Sequence, residues 1–183
     1  MGKLVVSEFV TLDGVFEDPG GAEDFERGGW AFDFDRGPEG DRFKLDELMA
    51  AGALLLGRVT YEGFARAWPS RTDDVGFAER MNGLPKYVVS TTLERTDWSN
   101  STLMRDARQV RTISDEVDGD LLVNGSGRLV EALMAEDLVD EYRLMVFPVV
   151  LGTGRKLFGA TAAKLRLAGT QKAGETVILT YVR

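Results

Sequence analysis

Leu54-Leu55-Leu56-Gly57-Arg58-Val59-Thr60-Tyr61-Glu62 is an apolar run of strand length that breaks at Gly and opens a helical pattern. Leu121-Leu122-Val123-Asn124-Gly125-Ser126-Gly127-Arg128-Leu129-Val130 does the same later in the chain. Each turn aims unpaired helix N–H groups and an Arg at one end of a sheet. A helix N-terminus offers free donors and the positive end of a dipole, so it cradles anions. Two such cradles in one domain suit a ligand with several phosphates, such as a dinucleotide.

The segments around them alternate between strand and helix. Leu4–Val10 reads as a central strand closed by Thr11-Leu12-Asp13-Gly14. Residues 15–40 read as a long loop with one helical turn. Asp41 to Ala51 follows as a helix stopped by Gly52. Then come strand Ala53–Leu56, a helix from Val59 to Ala67 ending before Pro69, and a short helix near Gly76–Met81. Strands are expected at Lys86–Ser90, Thr102–Met104, Gln109–Ile113, Leu121–Asn124 and Glu141–Phe147, with a helix over 126–136. Leu165–Ala168 and Thr176–Val182 form an antiparallel pair around Ala173-Gly174. The pattern predicts a single α/β domain over residues 1–183, its mostly parallel sheet covered by helices on both faces.

Composition narrows the chemistry. A net charge of −8 argues against nucleic acid and anionic membrane partners, which need a basic face. With no Cys and no His, the chain has no disulfide, thiolate or imidazole metal site, and no Ser-His-Asp chemistry. Proton transfer must use carboxylates, Tyr, Lys or water. The acidic run Asp115–Asp120 lacks the EF-hand spacing and reads as a solvated loop, so no metal site is expected. No apolar run reaches membrane-span length and no signal peptide opens the chain, which predicts a cytoplasmic enzyme or binding protein.

Each candidate residue has a functional and a bland reading. Gly125-Ser126-Gly127 either brackets a phosphate or only permits a tight turn; Val130 leaves the three-glycine fingerprint incomplete. Arg58 either faces an anion or pairs with Glu62 one turn on. Ser90-Thr91-Thr92 donates to phosphate or caps a turn. Asp13 and Asp41 are candidate acids, or merely a turn former and a favourable first-turn charge. Phe16, Phe25, Trp30, Phe32 and Phe34 line a heterocycle pocket or form a satellite core.

The order of these motifs resembles the dihydrofolate-reductase-like superfamily. Within it, the chain is similar to stand-alone relatives of the C-terminal reductase domain of bacterial riboflavin-biosynthesis deaminase/reductases. Gly57–Glu62 and Pro148-Val149-Val150-Leu151-Gly152-Thr153-Gly154 carry most of the likeness. The resemblance implies NADPH, with Gly57, Arg58 and Thr60 at its phosphates. Ser90 and Thr91 would lie near the 2′-phosphate, and Gly125, Ser126, Gly127 and Arg128 on the far side of the pyrophosphate. Substrate would be bounded by the first strand, Asp13, the long loop with Phe16 and Trp30, and the loop holding Pro148 and Leu151. Asp41 stands at the spacing of the dihydrofolate reductase carboxylate. The implied activity is NADPH-dependent hydride transfer to a small pterin-, pyrimidine- or flavin-like heterocycle by a homodimer. The alternative is a non-catalytic NADP(H)-binding protein. The dimer is also suggested by the apolar run Met145–Leu151.

Overall fold

The computed structural model describes residues 2–159 and 161–183. Its sheet contains β1 (Leu4–Thr11), β2 (Ala51–Gly57), β3 (Lys86–Val89), β4 (Ser101–Met104), β5 (Asp120–Val123), β6 (Glu141–Phe147), β7 (Arg166–Ala173) and β8 (Thr176–Val182). The order is β4-β3-β2-β5-β1-β6-β8-β7. All strands from β4 to β6 in that order run parallel, and β8 and β7 add an antiparallel edge. The C-terminal ends of β1 to β6 therefore share one edge.

Burial on both faces explains the near-continuous apolar strands. Ala53 and Leu55 join a core with Val6, Val123, Leu129, Val130 and Leu133, whereas Leu54 and Leu56 join another with Val5, Leu48 and Tyr61. The first core is closed by α4 (Val110–Glu116) and α5 (Gly127–Ala135). The second is closed by α1 (Gly37–Ala50), α2 (Arg58–Ala67) and α3 (Phe77–Gly83). In α5, Leu129, Leu133 and Met134 are buried while Glu131 and Glu136 are exposed, as its periodicity predicts.

Three local expectations are corrected. Gln109–Ile113 is not a strand: a 3-10 turn at Ala107–Gln109 leads into α4. Val110, Ile113 and Val117 pack on one core at helical spacing, and the Asp106 side chain accepts from the Arg108 N–H at 2.9 Å to cap the turn. The second is Gly52, which lies inside β2 and does not stop α1; a Cβ there would stand 2.3 Å from the Asp118 carbonyl oxygen, so the close approach requires Gly. Thirdly, α1 begins at Gly37 with Pro38 in its first turn, four positions before Asp41.

Met145, Phe147 and Leu151 are buried against Trp30, Val15 and Ile178 within the chain. The Met145–Leu151 run is thus used by the protein's own core and leaves Val150 exposed. The long loop is held the same way. Trp30 packs edge-on against Phe147 at 5.4 Å, and the buried Asp18 carboxylate accepts from the Ala22 and Glu23 N–H groups. No helix among the described residues is long and apolar enough to cross a membrane.

Candidate functional site

β1 leaves an opening in the middle of the sheet. Its ladder with β5 covers Leu4–Val6, whereas its ladder with β6 continues to Thr11. Beyond Val6 one side of β1 has no strand partner, and the turns following β2 and β5 face that gap.

Those turns are locked together. The Gly57 N–H donates to Ser126 Oγ at 2.8 Å, and Ser126 Oγ donates to the Asn124 carbonyl at 3.2 Å. Ser126 sits at φ 67, a left-handed conformation. A Cβ on Gly125 would stand 2.9 Å from Thr60 Oγ1, and one on Gly127 would stand 2.3 Å from Phe16 Cζ. The two glycines thus let the start of α5 close on α2 and on the long loop. The structure brings together Gly57, Thr60, Gly125, Ser126 and Gly127 at the converging N-termini of two helices.

The other cradle candidates have local partners or lie exposed. Arg58 is half-exposed and reaches Glu62 at 3.5 Å, the one-turn pair. Arg128 is exposed at the start of α5. Ser90 Oγ accepts from the N–H groups of Thr92 and Leu93 and shapes its own turn, with Thr91 exposed. Arg105, not singled out from the sequence, donates to the carbonyls of Ser90 and Leu93 and puts a cation beside that turn. Its signal was its place directly after β4 on the same sheet edge.

The face of β1 toward α1 carries a polar cluster that sequence reading also missed. Ser7 Oγ donates to the Glu47 carboxylate at 2.9 Å, and Lys44 Nζ donates to Ser7 Oγ at 3.0 Å and pairs with Glu47. Lys44 also lies 3.5 Å from Asn124 Oδ1 and 5.3 Å from the centroid of the Phe9 ring. Arg36 covers the same ring at 5.6 Å and bonds Asp41 at 2.6 Å. Asp41 is therefore an exposed rim residue, tied to the cleft through Arg36. The helical spacing of Lys44 and Glu47 on a weakly amphipathic helix was the available signal.

Asp13 fastens the end of β1 to the loop after β6. It accepts from Thr11 Oγ1 at 2.6 Å and from the N–H groups of Leu151 and Gly152. The Thr11 bond, then that from Gly152, holds its carboxyl down to about 2. A carboxyl held down in this way favours its ionised form, so its contacts here are those of a loop fastener. Three expected substrate-lining residues are core in the free protein: Phe16 against Gly127, Trp30 with its Nε1–H on the Glu17 carbonyl, and Leu151 beside Phe147. Trp30, with partly buried Phe25 and Phe34, packs around Phe147 in a satellite core, whereas Phe16 joins the core beneath α5. Pro148 is exposed directly after β6, and Phe32 is exposed on the long loop. Two surface hollows, one between Met134, Tyr142 and Arg183 and one between Pro38, Phe43 and Gln171, lie away from this edge.

Similarity to known proteins runs along the whole chain. The Bacillus subtilis (strain 168) protein YwjB is 30% identical over 185 residues, covering 99% of this chain and 98% of that protein. A Shewanella sp. PV-4 protein, named as a candidate riboflavin biosynthesis protein, has a crystal structure that matches with a TM-score of 0.74 at 20% identity, covering 99% and 98% of the two chains. Enterococcus faecalis dihydrofolate reductase, solved in complex with NADP(H), matches with a TM-score of 0.62 at 14% identity, covering 100% and 96%. The fold is thus that of dihydrofolate reductase. The RibD C-terminal domain family matches residues 2–179, and the chain belongs to that family.

Proposed function

We propose that the protein is an NADPH-dependent reductase that transfers hydride to a small pterin-, pyrimidine- or flavin-like heterocycle. The observation that carries this reading is the convergence of the α2 and α5 N-termini, pinned by the Gly57–Ser126 bond, at the open edge of β1. Phosphates fit where helix donors and dipoles meet at backbone that a Cβ would block. The family match and the dihydrofolate reductase fold support the same assignment.

When bound, NADPH supplies the hydride. The chain supplies position. Thr60, the Gly125–Gly127 turn and the first-turn amides of α2 and α5 would hold the pyrophosphate. Arg58, Ser90, Thr91 and Arg105 would serve the end that carries a 2′-phosphate, and Arg128 would face the pyrophosphate from outside. The unpaired stretch of β1 offers backbone donors and acceptors to a flat amide-bearing ring. Phe9, with Lys44 and Arg36 above it, offers a stacking floor beside polar groups for a heterocycle. Asp41, at the rim and exchangeable with solvent, is the candidate proton carrier.

The test has two stages. NADPH titrated into the purified protein should show saturable binding by nicotinamide fluorescence. Candidate oxidised heterocycles should then drive loss of NADPH absorbance. Absence of NADPH binding overturns the reading. Binding without oxidation by any heterocycle points to the second reading, a cofactor-binding protein without turnover, which the burial of Phe16, Trp30 and Leu151 favours.

A further inference from the structure

Glu8 is a carboxylic acid in the middle of a central strand. Its residue is 5% exposed, and its Oε1 is buried with no hydrogen-bond partner. It stands between Val6 and Val10 on the face of β1 that packs on α5. It also lies in the stretch where β1 has lost β5 as a neighbour. Its charged neighbours come from other elements: Lys44 and Glu47 on α1, and Glu23 on the long loop. Burial pushes its carboxyl well above the ordinary range; the Gly125 N–H and Lys44 pull it down, while Glu47 and Glu23 push it up. An unpaired buried carboxyl oxygen costs stability unless a ligand uses it. No group among the described residues bonds it.

Taking the cleft as a nicotinamide site, as proposed above, the gap beside β1 is where the flat ring extends from the pyrophosphate cradle. A neutral carboxyl and a carboxamide are complementary, each with one donor edge and one acceptor edge. The oxidised ring carries a positive charge and the dihydro ring does not. A cation beside a carboxyl favours its ionised form.

We propose that Glu8 distinguishes the two oxidation states of the nicotinamide cofactor, keeping its proton beside the dihydro ring and releasing it to water when the pyridinium ring binds. The equilibrium is balanced: protonated protein plus NADP+ gives the carboxylate complex plus one proton. NADPH binding leaves the carboxyl intact.

Isothermal titration of the full chain with NADP+ and with NADPH, over a series of pH values in buffers of different ionisation enthalpy, counts the protons released. Both cofactors carry the same 2′-phosphate, which itself titrates near pH 6, so the difference between them isolates the site. The expected difference, at its maximum over the series, approaches one proton. Below the Glu8 titration, the ratio of NADP+ to NADPH affinity rises up to about tenfold per pH unit. Glu8→Gln, with its folding checked by thermal melt, keeps both binding events and abolishes the difference. Equal proton counts for the two cofactors in the wild-type protein overturn the role of Glu8 while leaving the cofactor reading intact. The same conclusion follows if the difference survives in Glu8→Gln. Binding of neither cofactor overturns both.

Discussion

The Gly57 N–H and the Ser126 hydroxyl, 69 residues apart in sequence, meet at 2.8 Å and join two strand-to-helix turns into one ledge. Ser126 holds this bond from a left-handed backbone conformation that a non-Gly residue adopts at a cost. The contact fixes the relative positions of α2 and α5, and with them the geometry of any anion held between the two N-termini.

Ser126→Ala should therefore lose the bond and retain the strain, lowering stability by about 1–2 kcal/mol. Ser126→Gly relaxes the backbone and should lose less. Urea unfolding of both variants measures the difference; equal losses would mean that the left-handed turn is unstrained. NADPH affinity should fall in both, because the ledge loosens.

Arg58→Ala should separate cofactor recognition from folding. Its pair with Glu62 is long and exposed, so stability should change by less than about 1 kcal/mol. NADPH affinity should fall by roughly 1.5–3 kcal/mol, the range for a hydrogen bond to a charged group, and NADH affinity much less. Equal losses for NADPH and NADH in a fluorescence titration would remove Arg58 from the 2′-phosphate.

Asp13 should make the loop after β6 acid-sensitive. Its folded carboxyl lies near 2, below the roughly 3.9 of a free Asp. The unfolded chain thus binds the proton more readily. The stabilisation is complete above the free value and disappears as pH falls through the folded one. Asp13→Asn should lower the melting temperature at neutral pH and narrow its gap to wild type toward pH 2. A gap that stays constant from neutral to acid pH would contradict the ionised, loop-fastening role.

Asp41→Asn tests the second candidate acid. It should keep NADPH binding and stability, since its bond to Arg36 is on the surface. If it carries the proton, turnover with an active heterocycle should fall about 10²–10⁴-fold, the range for lost general acid catalysis. Near-normal turnover across pH would leave Asp41 as a helix-start partner of Arg36 and nothing more.

Much of the fold was legible because the signals are local. Doubly buried strands read as continuous apolar runs, and the limits of β6 and β8 agree with the observed Glu141–Phe147 and Thr176–Val182. The 107–116 segment was misread because a short apolar stretch has the same residues in either state. Only the core beneath Val110 and Ile113 selects the helical period. The two strand-to-helix turns were also legible, since Gly-Arg and Gly-Ser-Gly mark them by their chemistry.

By itself, the sequence determined an acidic α/β domain without thiol or imidazole chemistry, and two strand-to-helix turns at one sheet edge. Only the tertiary structure decided what surrounds them. Asp13 became a clasp because the loop after β6 returns its Leu151 and Gly152 amides to it. Phe16 and Trp30 became core because burying rings releases water from more apolar surface than lining an open cleft does. Glu8 and Lys44 became the cleft's polar groups because β1 outruns β5 at Val6, a register fact that no local pattern encodes. Pairing between strands more than a hundred residues apart sets that register, so the chemistry of the gap is written in contacts rather than in any single segment.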